Sequence, residues 1–464
     1  MNDLKIDLVL PWVDGNDLEW QKIRNHYMSE VYEGGGCAPR CASQFREWNM
    51  LRFVFRSIEK NLSWINRIHF VTMGHLPPWL NIAHPKIHIV NHNEFIPKEY
   101  LPTFSSNTIS LNMHRIPELT ENFIYTNDDC LFMGKSEPTD FFRDGLPCDY
   151  LYLKPITETK NGGFGHILLN SINLINEEFD MHECYEIHKD KWCNAAYSEK
   201  AMAYNAEILN LCRNFPGFAD DHMMKPFNKE SYISAWAQHF SIFDRVCNNK
   251  FRTLNDVFEW YIRYRRLCLG RFTPYVLKGR CYCDIWVDET VLNDAILSED
   301  TKYLCLNDSA GEGDFEFRKK YINSLLEQVF PSQSSYETYP IEKEESSKTK
   351  KDRRIFNKVG FPEIICDEAS LNAAVSFIMK NTTKFAKKTF ILKIASSFYG
   401  LALQRLFLNE LTDSVELCKE ENFVEYIIEH SDVCVVSPKN KALYTELADK
   451  YNVKVLILTD EVTA

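Results

Sequence analysis

The 464-residue chain is about three times the length of a typical domain, so either several cores or one large α/β domain with a small companion is expected. Its 45% hydrophobic and 25% charged content is ordinary for a globular protein, and no apolar run approaches the roughly 20 residues that a membrane span requires. A net charge of -12 argues against broad nucleic-acid binding, and the first residues lack a basic segment followed by a cleavable apolar stretch, so a soluble, cytoplasmic protein is expected.

In chain order, "LKIDLVLPWVDGNDLEW" reads as a strand (Ile6 to Val13), a turn at Asp14, Gly15 and Asn16, and a helix opening at Asp17, a good N-cap residue. Such a corner can present backbone N–H groups to an anion, or it can be a plain connection. "WNMLRFVFRSIEKNLSWI" predicts an amphipathic helix with Leu51, Val54, Phe55 and Ile58 on one face, flanked by Arg46, Arg52 and Arg56. "RIHFVTMG", "KIHIVNH" and "NFIYTNDD" follow as strands. The alternation predicts an α/β fold with a mostly parallel sheet of Rossmann-like or GT-A-like type and helices on its faces. A helical insertion is expected from about Ala201 to Arg266, and "YLCLND" reads as a late return to the sheet.

Between roughly Ser332 and Asn357 the composition turns charged and Ser-rich, which is the signature of a linker. The expected division is a main domain over 1–337, a linker over 338–357 and a small α/β unit over 358–464, with strands in "KTFILKIASS", "DVCVVSP" and "VKVLILTD". The last strand runs into "LTDEVTA", where such a fold normally adds a helix, so the natural protein is expected to continue.

Fifteen cysteines without a secretory signal are expected to be reduced thiols. "HECYEIHKDKWC" offers His182, Cys184, His188 and Cys193, residue types that zinc accepts, at a spacing that matches no common zinc motif. "CAPRC" (Cys37, Cys41) and "CYC" (Cys281, Cys283) are weaker versions of the same idea. "FIYTNDDCLF" sets Asp128 and Asp129 side by side at a strand end. They can cap the next element, or they can hold a hard divalent cation such as Mg2+ or Mn2+ that bridges protein carboxylates to phosphates.

"IDLVLPWVDGND", "LRFVFRSIEKNLSWINRIHFVTMGHLPPWL", "LPTFSSNTISLNMHRI", "FIYTNDDCLF" and "YLCLNDS" leading to "FPSQSSYE" occur in an order that resembles the Stealth family. That family includes bacterial capsular polysaccharide phosphotransferases and the catalytic subunits of the lysosomal-enzyme GlcNAc-1-phosphotransferase. The resemblance spans about residues 4 to 337. It implies transfer of a sugar 1-phosphate from a nucleotide diphosphate sugar, a UDP-sugar being expected, to an acceptor hydroxyl of a polysaccharide or oligosaccharide. A peripheral place at the inner membrane beside a capsule assembly complex is compatible with it.

The same resemblance assigns Asp128 and Asp129, accompanied by Asn127, to metal and diphosphate binding, with Asp308 as a further metal ligand and Asn307 beside it. Trp12, Asp14, Gly15 and Asp17 become nucleotide contacts, and Ser105, Ser106 and Asn107 line the substrate pocket. Cationic donors for the phosphoryl group are sought among Arg46, Arg52, Arg115 and Arg252. His222, beside Lys225, is the expected base, and His114 is the second candidate. Relatives commonly carry a glutamate where this chain has Ser110, which puts acceptor choice in question.

Overall fold

The computed structural model describes residues 4–33, 45–157, 164–309 and 313–338, together with four strands farther along the chain. Cys37 and Cys41, and the expected linker from residue 339 onward, lie outside the described residues. The chain divides into two units, Met1–Pro340 and Ile341–Ala464.

The first unit is built on a five-stranded sheet in the order β3-β2-β1-β4-β8. Its strands are β1 (Ile6–Pro11), β2 (Ile68–Thr72), β3 (Ile87–Asn91), β4 (Asn122–Tyr125) and β8 (Lys225–Asn228). The first four are parallel, with Leu8 level with both Ile68 and Ile124. β1 is buried along its length, which is why it reads as a continuous apolar run. Successive side chains still alternate. Leu8 and Leu10 join one core with Phe70, Ile124 and helix α2 (Leu51–Asn61), whereas Val9 joins the other with Val71, Phe123 and the helical segment.

Two readings of the sequence need correction. The helical segment starts earlier than expected, at α5 (Gly165–Glu178), and continues through α8 (Glu199–Leu211), α9 (Lys229–Gln238), α10 (Phe240–Asn248) and α11 (Glu259–Cys268). Inside it lies β8, antiparallel to β4. Its sequence "KPFN" hides a strand because Pro226 cannot donate to a ladder, a restriction that an edge position tolerates. The second correction concerns "YLCLND". It forms β11 (Tyr303–Asn307), but β11 joins a separate sheet in the order β10-β11-β5, with β10 (Arg280–Asp284) and β5 (Cys130–Phe132). "FIYTNDDCLF" therefore splits into β4 of one sheet and β5 of the other.

Arg56, expected on the flank of α2, is buried. Its Nε donates to Glu337 Oε1 at 2.8 Å and its Nη2 to Glu337 Oε2 at 3.1 Å, while Nη1 reaches the Phe330 carbonyl at 2.8 Å. This clamp fixes α2 to the end of α13 (Phe315–Val329) and the segment beyond it. At the opposite end of the strands Asp7, fully buried, accepts from Asn66 at 2.6 Å and from the Thr120 amide at 2.9 Å, and lies 3.0 Å from His69 Nε2. Burial alone raises the pKa of such a carboxyl, but these partners outweigh it and hold Asp7 below the ordinary value.

In the second unit four parallel strands, Phe390–Ile394, Val415–Lys419, Val433–Val436 and Lys454–Ile457, form a sheet in which the first lies between the second and third. "VELCK" was not among the expected strands. Among the described residues no helix is long and apolar enough to cross a membrane.

Candidate active site

The turn after β1 is built tightly. Trp12 is buried and donates its indole N–H to Glu47 at 3.3 Å. A Cβ on Gly15 would fall 1.8 Å from the Phe45 carbonyl oxygen, so only glycine fits. Asp17 accepts the Trp20 amide at 2.7 Å and caps α1 (Leu18–Glu33). The Asp14 amide donates to His75 Nε2 at 2.9 Å, the Asn16 amide to Asp14 Oδ1 at 2.9 Å, and the Asp17 amide to the Asp14 carbonyl at 3.1 Å. The amides of Asp14, Asn16 and Asp17 are thus already donating within the turn and to His75. Burial lowers the His75 pKa, which suits its role as a neutral acceptor.

Asp128 and Asp129 occupy the turn where the chain leaves β4 for β5. The element that follows is a strand, so no helix is there to be capped. The Asp129 carbonyl accepts the Leu306 amide at 2.9 Å, which ties the turn to β11. Loss of hydration, then the charge of Asp129, then that of Glu47 push Asp128 up to about 8. A partly exposed cluster of mutually repelling carboxylates is the donor set that a hard divalent cation satisfies, so these residues fit Mg2+ or Mn2+. Asp308 takes another course. Its carboxylate accepts the indole N–H groups of Trp48 at 3.2 Å and Trp286 at 2.8 Å, with Arg46 at 3.6 Å. Arg46 also lies over the Trp286 and Phe315 rings. Asn307 ends β11 opposite Asp284, and its side chain meets the Tyr282 hydroxyl.

His222 sits on the loop leading into β8, and that loop is braced on both sides. Asp220 pairs with Lys225 at 2.6 Å and with Arg263 at 3.2 Å, while Asp221 pairs with Arg280 and accepts from the Tyr150 hydroxyl at 3.1 Å. Lys225, its ammonium also 4.8 Å from the Trp260 ring centroid, is therefore part of the brace. The brace delivers the imidazole to the acidic turn: His222 Nε2 lies 2.5 Å from Asn127 Nδ2. Asp129, His222 and Cys305 offer ligand atoms within 4.8 Å of one another, the one such group among the described residues. His182, Cys184, His188 and Cys193 do not converge in this way. His182 meets the Cys212 carbonyl, Cys184 hydrogen-bonds Cys268, and Cys193 is exposed.

A second wall comes from α4 (Ser106–Asn112) and the turn before α11. Arg252 donates to the Ser106 hydroxyl, and Asn107 donates to Asp256 at 2.9 Å. The buried Ser105 hydroxyl has no hydrogen-bond partner. Tyr125, at the end of β4, is in electrostatic reach of Glu259 and Arg252 on one hand and of Asp129 and Asp128 on the other. Ser110 is buried, and its hydroxyl donates to the Asn107 carbonyl at 3.2 Å, with the Glu259 carboxyl of α11 nearby.

The other sequence candidates meet aromatic rings. Arg52 lies over the Trp79 ring at 5.5 Å and Arg115 over Trp236 at 4.7 Å. His114 stacks on Tyr232, and burial, then Arg115, lowers its pKa to about 3, too weak a base for neutral pH. Sequence reasoning missed Glu47, Glu259, Tyr282 and Cys305. Of these, Cys305 carried a signal, because it lies two residues before the "ND" of its motif.

Residues 4–32 match conserved region 1 of the Stealth proteins and residues 44–148 match conserved region 2. A capsular polysaccharide phosphotransferase, WcwK of Streptococcus pneumoniae, is 34% identical over 332 residues, covering 72% of this chain and 98% of that protein. An exopolysaccharide phosphotransferase, cps2G of Lactiplantibacillus plantarum, is 30% identical, with 72% and 96% covered. The solved glycosyltransferase GlyE of Streptococcus pneumoniae TIGR4 overlaps at 11% identity and a TM-score of 0.30, covering 98% of this chain and 91% of that one, a likeness that adds nothing to the fold. Family regions and near full-length relatives agree with the motif order, and the chain belongs to the Stealth family.

Proposed function

We propose that this protein transfers a hexose or N-acetylhexosamine 1-phosphate from a UDP-sugar to a sugar hydroxyl, releasing UMP, in the synthesis of a capsular or cell-surface polysaccharide. The observation that carries the reading is the meeting of His222 with the Asn127–Asp129 turn, which sets an imidazole beside paired carboxylates. The names of the phosphotransferase relatives support it.

The acceptor hydroxyl oxygen attacks the β phosphorus, the bond from that phosphorus to the bridging oxygen breaks, and the nucleoside monophosphate leaves. A Mg2+ or Mn2+ held by Asp128 and Asp129 supplies charge neutralisation to the diphosphate. His222 takes the hydroxyl proton on one imidazole nitrogen, and Asn127, its amide turned so that the oxygen accepts the N–H of the other nitrogen, orients the ring. Arg252, with Ser106 as its positioning partner, donates to the equatorial phosphoryl oxygens, where negative charge is stabilised. Glu259, beside Ser110, accepts hydrogen bonds from sugar hydroxyls.

Product analysis in phosphatase-free buffer tests this. UMP and a phosphodiester-linked product in equal amounts are expected. UDP formed together with a phosphate-free glycoside refutes the phosphotransferase chemistry in favour of glycosyl transfer.

A further inference from the structure

The acidic turn meets a second chemistry that a hard cation does not use. Cys305, on β11, projects its sulfur into the space between Asp129 and His222, so one oxygen, one nitrogen and one sulfur donor lie within 4.8 Å of each other. Three separate segments bring them together: the β4–β5 turn, the braced loop before β8, and β11. Mg2+ and Ca2+ take oxygen ligands, whereas thiolate with imidazole suits zinc and its borderline neighbours.

We propose that Asp129, His222 and Cys305 form a binding site for a borderline divalent cation of the Zn2+ class, and that its occupancy blocks phosphosugar transfer by taking His222 and Asp129 out of the reaction. The site itself does not depend on the transferase reading, but the inhibition does. Ligand atoms about a tetrahedral zinc lie roughly 3.3–3.8 Å apart given its bond lengths, so movements of about an ångström close the set. One carboxylate, one thiolate and a neutral imidazole carry two negative charges, which match a divalent ion. The thiol proton leaves to solvent when the ion binds. Three protein ligands leave a fourth position open to water, as in exchangeable rather than permanently closed zinc sites. Asn127 Nδ2 lies 2.5 Å from Nε2 of His222, and turning the amide so that its oxygen accepts the Nε2–H would orient the ring while Nδ1 ligates.

Cys130 provides the control. It faces Cys305 across the antiparallel β5–β11 pair, is equally buried and donates its thiol to Asp129 Oδ1 at 3.4 Å, yet it lies outside the three-ligand group. Full-length reduced protein, stripped with chelator and titrated with Co2+, should develop a near-ultraviolet thiolate-to-cobalt charge-transfer band that Zn2+ abolishes. Cys305→Ser should lose the band and Cys130→Ser should keep it. If Cys305→Ser does not fold, His222→Ala, with the thiol intact, should weaken Co2+ binding at least about ten-fold. Absence of the band in the parent protein, or an undiminished band or affinity in these ligand variants, overturns the site. The optical titration requires no turnover, so it reports the site even where the transfer reaction fails. A Zn2+-loaded enzyme that transfers phosphosugar at the unloaded rate refutes the inhibition alone.

Discussion

Asn127 and His222 are 95 residues apart in the chain, yet the amide nitrogen of one lies 2.5 Å from the imidazole Nε2 of the other. The contact joins the last parallel strand of the sheet to the loop that enters its antiparallel edge. His222→Ala should lower kcat by on the order of 10²- to 10⁴-fold with donor affinity little changed. Asn127→Ala should lower kcat less and alter the pH–rate profile, because the ring loses its orienting partner. Rapid-quench turnover and equilibrium binding of a UDP-sugar check both. Unfolding of His222→Ala, seen by circular dichroism, would instead assign the residue to the fold.

Asp128→Asn and Asp129→Asn should each abolish turnover while leaving the fold intact, since both side chains are partly exposed and neither anchors a helix. Mn2+ binding followed by electron paramagnetic resonance is the direct measurement. Variants that bind Mn2+ as the parent does and turn over normally would remove the pair from the site.

Arg252→Ala should cost about 3 kcal/mol of transition-state stabilisation, read as a fall in kcat/KM. Ser106→Ala should cost less, because that hydroxyl acts only through the guanidinium it holds. Equal kcat/KM for Arg252→Ala and the parent would place the arginine outside the reaction.

Arg56→Ala should destabilise the first unit by about 3–5 kcal/mol, because Glu337 is left as a buried charge without its partner. Urea denaturation of the single and double variants measures the coupling. The same contact decides where the chain can be shortened. Thr338 donates its amide to the Trp79 carbonyl at 2.7 Å, so a chain ending at Pro340 keeps these contacts. That shortened protein should remain soluble and retain donor chemistry, which size-exclusion chromatography and product assays check.

Asp7 should make the fold acid-sensitive. Its folded pKa is depressed below the ordinary carboxylate value, so its stabilisation is fully present above that value and disappears as pH falls through the folded pKa. Asp7→Asn should therefore be less stable than the parent at neutral pH, and the gap should close in acid. Denaturation curves across the acidic range give the answer. A gap independent of pH would assign the cost to lost packing.

The order of elements was legible because parallel strands buried on both faces must be largely apolar, as β1 is and as Ile68, Phe70 and Val71 of β2 are. β8 was not, since a lysine and a proline in four residues give no strand signal until β4 offers an edge. Asp128, Asp129 and His222 could be found from motif and residue type. Asp308 and Lys225 look identical in sequence to free ligands, and only their neighbours, two indoles for one and Asp220 for the other, show that they are held in place. Glu47 and Glu259 stood outside the recognised strings, and their relevance arises only from chain segments that meet in three dimensions.

The crossing of the chain from one sheet to the other at Asp128 and Asp129 has a consequence for biosynthesis. β5 is completed only by β11, and the edge beside β4 only by β8, both made long after the aspartates themselves. A ribosome that has just finished the acidic turn holds four strands of one sheet with an open edge, no strand of the other, and no assembled site. The centre closes only when residues near 307 have emerged, which makes its assembly a late event of translation and dependent on distant pairings. No N-terminal fragment ending before β11 should then show even partial turnover, and nascent chains stalled there present unpaired strand edges to chaperones.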